Sequence, residues 1–139
     1  RLKKWQQAEK MQNLAAELGL GDSVIFAGVR SNMQGFYDAM DAFLLPSLFE
    51  GLPVVLVEAQ TAGLPCFVAD TVDKGAAFTD RVRFLPLHDE AAWANTIAGA
   101  SLRRDPDARR KAVDAGYDIH HSAKILQAFY LRRYAEVTQ

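Results

Sequence analysis

What this chain can fold into is constrained most by residues 43–63. Phe43, Leu44 and Leu45 form a short apolar run that Pro46 stops, and the chain turns through Ser47 and Gly51. A second run restarts at Pro53 and ends at Gly63. The pattern is strand, loop, helix. Proline suits the first helical position, because its missing N–H has no partner there and its φ is already helical, while glycine suits the exit. The expected helix is apolar all round, since Val54, Val55, Leu56, Val57, Ala59 and Ala62 cover every face of an α-helical turn. Such a helix is expected to be buried, and Glu58 breaks its pattern. A buried carboxylate is costly unless paired or hydrogen-bonded, so Glu58 requires a partner or a polar cleft. Glu50 stands in the preceding loop, close to a helix N-terminus able to hold an anion. Taken singly, each glutamate also reads as ordinary surface polarity.

With 139 residues, 50% of them hydrophobic, the chain is long enough for one domain with a real core. Leu2, Trp5, Met11, Leu14, Ala15 and Leu18 recur at helical spacing before Gly19. Residues 24–27 have strand composition and residues 28–32 leave them as a loop. A helix over residues 33–40, capped by Asn32, would turn Phe36 and Met40 to the core. Past the central helix, residues 66–69 read as a buried strand, residues 70–75 as a loop and residues 83–86 as a shorter strand. Asp89 is expected to cap a helix over residues 90–102 that carries Trp93, Ile97 and Leu102 on one side. Residues 105–116 read as another helix, and Ser122 as the cap of a last one bearing Ile125, Leu126, Phe129, Tyr130, Tyr134 and Val137.

Apolar runs alternating with helices predict an α/β fold, a Rossmann-like parallel sheet with helices on both faces, in a single compact unit. Ligands of such sheets bind beyond the carboxyl ends of the strands. The loops over residues 28–32, 47–52 and 70–75 all leave strand ends on that edge, and are expected to converge on one cleft.

Pro46-Ser47, Glu50-Gly51-Leu52-Pro53, then Glu58-Ala59 and Gly63-Leu64-Pro65 together closely resemble the donor-site signature of the retaining glycosyltransferase group-one family. The resemblance implies a two-domain enzyme of the facing-Rossmann (GT-B) architecture. Residues 1–139 would be its truncated C-terminal donor-binding domain, without that domain's first strands and without the N-terminal acceptor domain. Residues 24–30 resemble the family's strand and glycine turn beside the nucleotide base. Tyr117, Asp118 and Ile119, with Ala123, Leu126 and Tyr130 beyond them, are similar to the C-terminal region of bacterial capsular and exopolysaccharide glycosyltransferases.

Carried over by motif, Glu58 would bind the ribose hydroxyls of a nucleotide-sugar donor, a task suited to a carboxylate whose two oxygens accept from vicinal hydroxyls. Glu50 is the implied catalytic residue, contacting donor-sugar hydroxyls and stabilising positive charge at the anomeric carbon. Ser47, Gly51, Leu52 and Pro53 would form the turn at the sugar and diphosphate. Gly28, Val29 and Arg30 would frame the base, with Arg30 equally readable as a surface residue. The family's diphosphate-binding arginine and lysine have no counterpart in this chain. Lys74, in the loop after residues 66–69, is read as solvated rather than phosphate-bound.

The resemblance thus implies transfer from a nucleotide-diphosphate donor, a UDP-sugar, to a cell-surface polysaccharide or lipid-linked acceptor. No cofactor and no metal is expected in this domain, and the chain alone is expected to be inactive. A cytoplasmic setting at the inner face of the membrane follows, with peripheral membrane contact by the parent protein. A chain starting at Arg1 rather than methionine reads as a fragment, one that could self-associate through an exposed sheet edge. The alternative is a non-catalytic α/β binding or interaction module.

Composition narrows the rest. With 16 basic and 17 acidic residues the net charge is −1, so no field draws in nucleic acid. The single cysteine, Cys66, sits between Pro65 and Phe67 and reads as a packed core thiol in a reducing compartment. Asp105-Pro106-Asp107 spells an aspartate pair that holds metal in other glycosyltransferases, but a helix cap followed by proline explains it here. His88, His120 and His121 lack partners at ligand spacing. The basic pairs at residues 103–104, 109–111 and 132–133 read as solvated helix faces.

Overall fold

The structure, a computed structural model, describes residues 2–137, with side chains described from residue 7 onward. Two compact units are present, Arg1–Met33 and Gln34–Gln139, where one was expected.

In the first unit, helix α1 spans Leu2–Glu17. It stops where Gly19 takes φ 69°, with the Leu20 and Gly19 amides donating to the Ala15 and Ala16 carbonyls. A side chain resists that left-handed turn, so glycine at this position ends the helix cleanly. Ala15 is buried, whereas Met11, Leu14 and Leu18 are exposed; the side chains of Leu2 and Trp5 lie outside the described residues. The strand expected over residues 24–27 does not form, and Ile25 is 89% exposed. β-composition expresses fit to a half-buried pleated surface, and no described strand pairs with these residues to provide one.

Helix α2 (Met33–Ala39) starts at the last residue of the first unit and lies otherwise in the second, which carries β1 (Phe43–Leu45), α3 (Val54–Thr61), β2 (Cys66–Ala69), a 3₁₀ turn (Lys74–Ala76), β3 (Val82–Leu85), α4 (Glu90–Ala98), α5 (Ala108–Asp114) and α6 (Ile119–Val137). The strands form one parallel sheet in the order β1-β2-β3, with Phe43 opposite Cys66 and Cys66 opposite Val82. All four residues of β2 are buried, as the centre of a parallel sheet covered on both faces requires. Around them Leu56, Ala59, Leu64, Val72, Leu85 and Trp93 complete the core. Cys66 is within it, its thiol donating to the Leu64 carbonyl at 3.3 Å and pushed up to about 12 by burial. A thiol so protonated is no nucleophile.

Several boundaries differ from expectation. The buried residue of α2 is Tyr37, while Phe36 is half-buried and Met40 packs on the core from just past the helix. Helix α4 stops at Gly99, leaving Leu102 outside it and 45% exposed. Asp89 does cap α4, accepting from the Ala92 amide at 2.9 Å. Helix α6 starts three residues earlier than Ser122, with Asp118 accepting from the His121 amide and Ser122 donating to the Gly116 carbonyl. Its apolar residues, including Phe129 and Tyr134, remain exposed in this chain. Among the described residues, no helix is long and apolar enough to cross a membrane.

Candidate functional site

Because β1 and β2 run parallel, the loops that leave them emerge on the same edge of the sheet. The loops are joined there: Thr71 Oγ1, just beyond β2, donates to the Ser47 carbonyl, just beyond β1, at 2.7 Å. Ser47 in turn donates from Oγ toward Glu50 Oε1 at 3.1 Å, with the Phe49 carbonyl at 3.3 Å sharing the hydroxyl. The half-buried carboxylate of Glu50 is therefore held by the loop's own hydroxyl, while Leu48 and Phe49 stand 72% and 83% exposed beside it. Gly51 and Leu52 are exposed at the turn. Pro53 follows, buried, as the residue preceding the helix (φ −75°, ψ 94°) rather than as its first residue, and α3 has no side-chain cap.

Helix α3 is not buried all round. It packs on β1, β2 and α5 through Leu56, Ala59 and Gln60, whereas Val54 is 60% exposed and Glu58 lies on the open face. The expected partner of Glu58 exists nonetheless. Tyr37, only 4% exposed, donates from its hydroxyl to Glu58 Oε2 at 2.9 Å. Burial first, and then the neighbouring Glu58 carboxylate, push the phenol up to about 12, so it remains a donor across the neutral range.

Two residues that sequence patterns did not single out hold this arrangement. Arg104, expected on a solvated helix face, instead lies in the loop before α5. Its Nη2 donates to the carbonyls of Tyr37, Asp38 and Met40 at 2.7–2.9 Å, and its Nη1 to the Ala62 carbonyl at 2.8 Å. One guanidinium thereby closes the C-terminal ends of both α2 and α3, whose last carbonyls lack helical partners. Gln60 is wholly buried; its Nε2 donates to the Leu56 and Ala76 carbonyls, and its Oε1 accepts from the Phe78 and Thr79 amides and the Thr79 hydroxyl. Periodicity marks neither: Gln60 sits in a helix whose sequence is apolar on every face, and Arg104 reads as one of a basic pair.

Of the three loops expected to converge, two do. For the third, residues 28–32, no strand precedes it, so topology does not assign it to this edge. Gly28 takes φ 68°, Val29 is fully exposed, and Arg30 Nε donates to the Ala27 carbonyl at 2.7 Å, all within the first unit. Lys74 lies 5.8 Å over the Phe84 ring. The Asp105 carboxylate is occupied by structure: Oδ1 accepts from the Asp107 amide at 2.9 Å and Oδ2 pairs with Lys111 at 2.7 Å. Lys111 also reaches Asp80 at 3.1 Å. The Lys111 ammonium holds both carboxyls below the usual range, and their hydrogen bonds raise Lys111 in turn. Among the described residues no three His, Cys, Asp or Glu side chains are grouped to hold a metal.

A parallel sheet flanked by helices, with a glutamate-bearing loop and helix start at its carboxyl edge, defines a Rossmann-like α/β domain. The chain belongs to the family described as glycosyl transferases group 1, whose model matches residues 4–118. It is 34% identical over 130 residues, 90% of this chain and 32% of the relative, to a Bacillus subtilis protein named as glycosyltransferase EpsF. It is also 34% identical over 134 residues, 92% of this chain and 30% of the relative, to the D-inositol 3-phosphate glycosyltransferase of Mycolicibacterium vanbaalenii. Over 58 residues, 42% of this chain and 15% of the relative, it is 38% identical to the Escherichia coli UDP-Gal:alpha-D-GlcNAc-diphosphoundecaprenol alpha-1,3-galactosyltransferase. The chain thus spans about a third of the length of the first two relatives. No solved structure matches it.

Proposed function

We propose that this chain is the donor-binding part of a retaining glycosyltransferase of GT-B architecture, taking a nucleotide-diphosphate sugar, a UDP-sugar, as donor. The acceptor is a cell-surface polysaccharide or lipid-linked glycan, by analogy with what the Escherichia coli relative's name describes. Glu58 accepts from the vicinal ribose hydroxyls. Glu50 meets donor-sugar hydroxyls and stabilises the positive charge that develops at the anomeric carbon as the bond to the diphosphate breaks. Ser47, Gly51, Leu52 and Pro53 shape the turn beside the sugar and diphosphate.

The observation that carries this reading is that Glu50 lies in the loop leaving the carboxyl end of β1 and Glu58 on the helix that this loop enters, each with an oxygen already held by a neighbouring hydroxyl. Carboxylates fixed in this way are suited to accept from hydroxyls in a defined geometry. Calorimetric titration of the full-length protein with UDP, GDP and ADP tests it. One of them is expected to bind at millimolar concentration or tighter, and Glu58→Ala to weaken that binding at least tenfold. Silence with all three, or binding indifferent to Glu58→Ala, would leave the chain a non-catalytic α/β module.

A further inference from the structure

The hydroxyl of Tyr37 is a polar atom where packing asks only for a ring. The ring is anchored edge-on against Phe43, with centroids 6.3 Å apart, and phenylalanine would fill that space equally well. The hydroxyl emerges from the core under α3, and its closest partner is Glu58 Oε2 at 2.9 Å, with the Val55 carbonyl at the limit of bonding, 3.5 Å. The two ends of this bond differ in kind. Tyr37 is 4% exposed and immobilised, whereas Glu58 is an exposed side chain on a helix surface, otherwise free to sample several rotamers. The separation of their helices is set by Arg104, which binds the carbonyl of Tyr37 itself and that of Ala62 at the end of α3.

We propose that Tyr37 is a positioning residue of the donor site: its hydroxyl holds one oxygen of Glu58, so that the other is presented in a fixed direction to the ribose hydroxyls. This rests on the assignment of Glu58 to the ribose. A phenol donates one proton, so it occupies one carboxylate oxygen and leaves the lone pairs of the second for the diol. Ordering Glu58 before the ligand arrives removes a conformational cost from binding.

The test compares ligands that do and do not carry the diol. The full-length protein, Tyr37→Phe and Glu58→Ala are titrated calorimetrically with the ribo and 2′,3′-dideoxy forms of whichever of UDP, GDP and ADP binds the unmodified protein tightest. Tyr37→Phe is expected to weaken the ribo form by about fivefold, the scale of one hydrogen bond to a charged group partly compensated by water, and to leave the dideoxy form within about twofold. Equal weakening of both forms would make Tyr37 a packing residue and overturn the proposal, as would no weakening of either. The unmodified protein must also prefer the ribo form, and Glu58→Ala must abolish that preference. If Glu58→Ala leaves the preference intact, or if no nucleotide binds, the ribose assignment fails and this inference with it. If Glu58→Ala abolishes the preference while Tyr37→Phe retains it in full, only the role of Tyr37 fails.

Discussion

Replacing Gln60 by leucine removes the side chain that ties α3 to the segment after the 3₁₀ turn, and the structure sets the cost. Leucine nearly matches the volume, so no large cavity opens; the loss is polar. The Ala76 carbonyl, on a residue 1% exposed, loses its 2.9 Å donor, and the Phe78 and Thr79 amides lose their acceptor at 2.9 and 3.1 Å. A buried group left unsatisfied costs about 1–3 kcal/mol. Phe78 and Thr79 are half-buried, so water can reach them and the lower end applies, while the enclosed Ala76 carbonyl sits nearer the middle of that range. The Leu56 carbonyl keeps its helical partner and adds little. The expected destabilisation is about 3–4 kcal/mol, against about 0.5 kcal/mol for an ordinary surface change. Urea unfolding followed by tryptophan fluorescence would read it as a midpoint shift at unchanged slope, since Trp93 lies in the same core. Hydrogen exchange at the Phe78 and Thr79 amides should accelerate in parallel. A shift worth less than about 1 kcal/mol would refute the claim that these groups are dry and dependent on Gln60.

Two other expectations follow from close contacts and charge. Gly63 has φ 79°, and a Cβ there would meet the Asp105 carbonyl oxygen at 2.8 Å, whereas Gly116 has φ 87° and open space around it. Gly63→Ala should therefore cost more than about 2 kcal/mol and Gly116→Ala only the left-handed backbone penalty of about 1 kcal/mol; equal midpoints for the two variants in thermal unfolding would contradict this. Asp105 and Asp80 are held below the usual carboxylate range by Lys111, so their contribution to stability is present above the unfolded value, about pH 4, and fades as pH falls through the lower folded values. Lys111→Met should thus be less stable than the unmodified protein at pH 7, and the difference should shrink in acid. A gap independent of pH between 7 and 2 in urea titrations would argue against this pairing.

How the chain could be read follows from the range over which each interaction acts. Local chemistry was legible: Pro46, Pro53 and Gly63 punctuate a strand, loop and helix, Cys66 to Ala69 form the buried central strand at the bounds expected, and Asp89 caps α4. These are decided by neighbours a few residues away, so periodicity and turn chemistry suffice. The parallel sheet followed from alternation, and with it the edge where Ser47, Glu50 and Thr71 meet. Composition misled over residues 24–27, because a strand exists only when another chain segment pairs with it. It misled again over α3, where an all-apolar helix leaves Val54 and Glu58 outward because the sheet and α5 cover only one side.

What only the tertiary structure decided is which side chains, distant in sequence, complete one another. The sequence required a partner for Glu58 without naming it. Tyr37 stands 21 residues away, on a helix whose spacing favoured Phe36 for the core. Arg104 joins α2 and α3 across as many as 67 residues, a separation no periodicity reports. Hydrogen bonds act over about 3 Å of space whatever the distance along the chain, so their donors and acceptors become identifiable only once packing has brought the elements together.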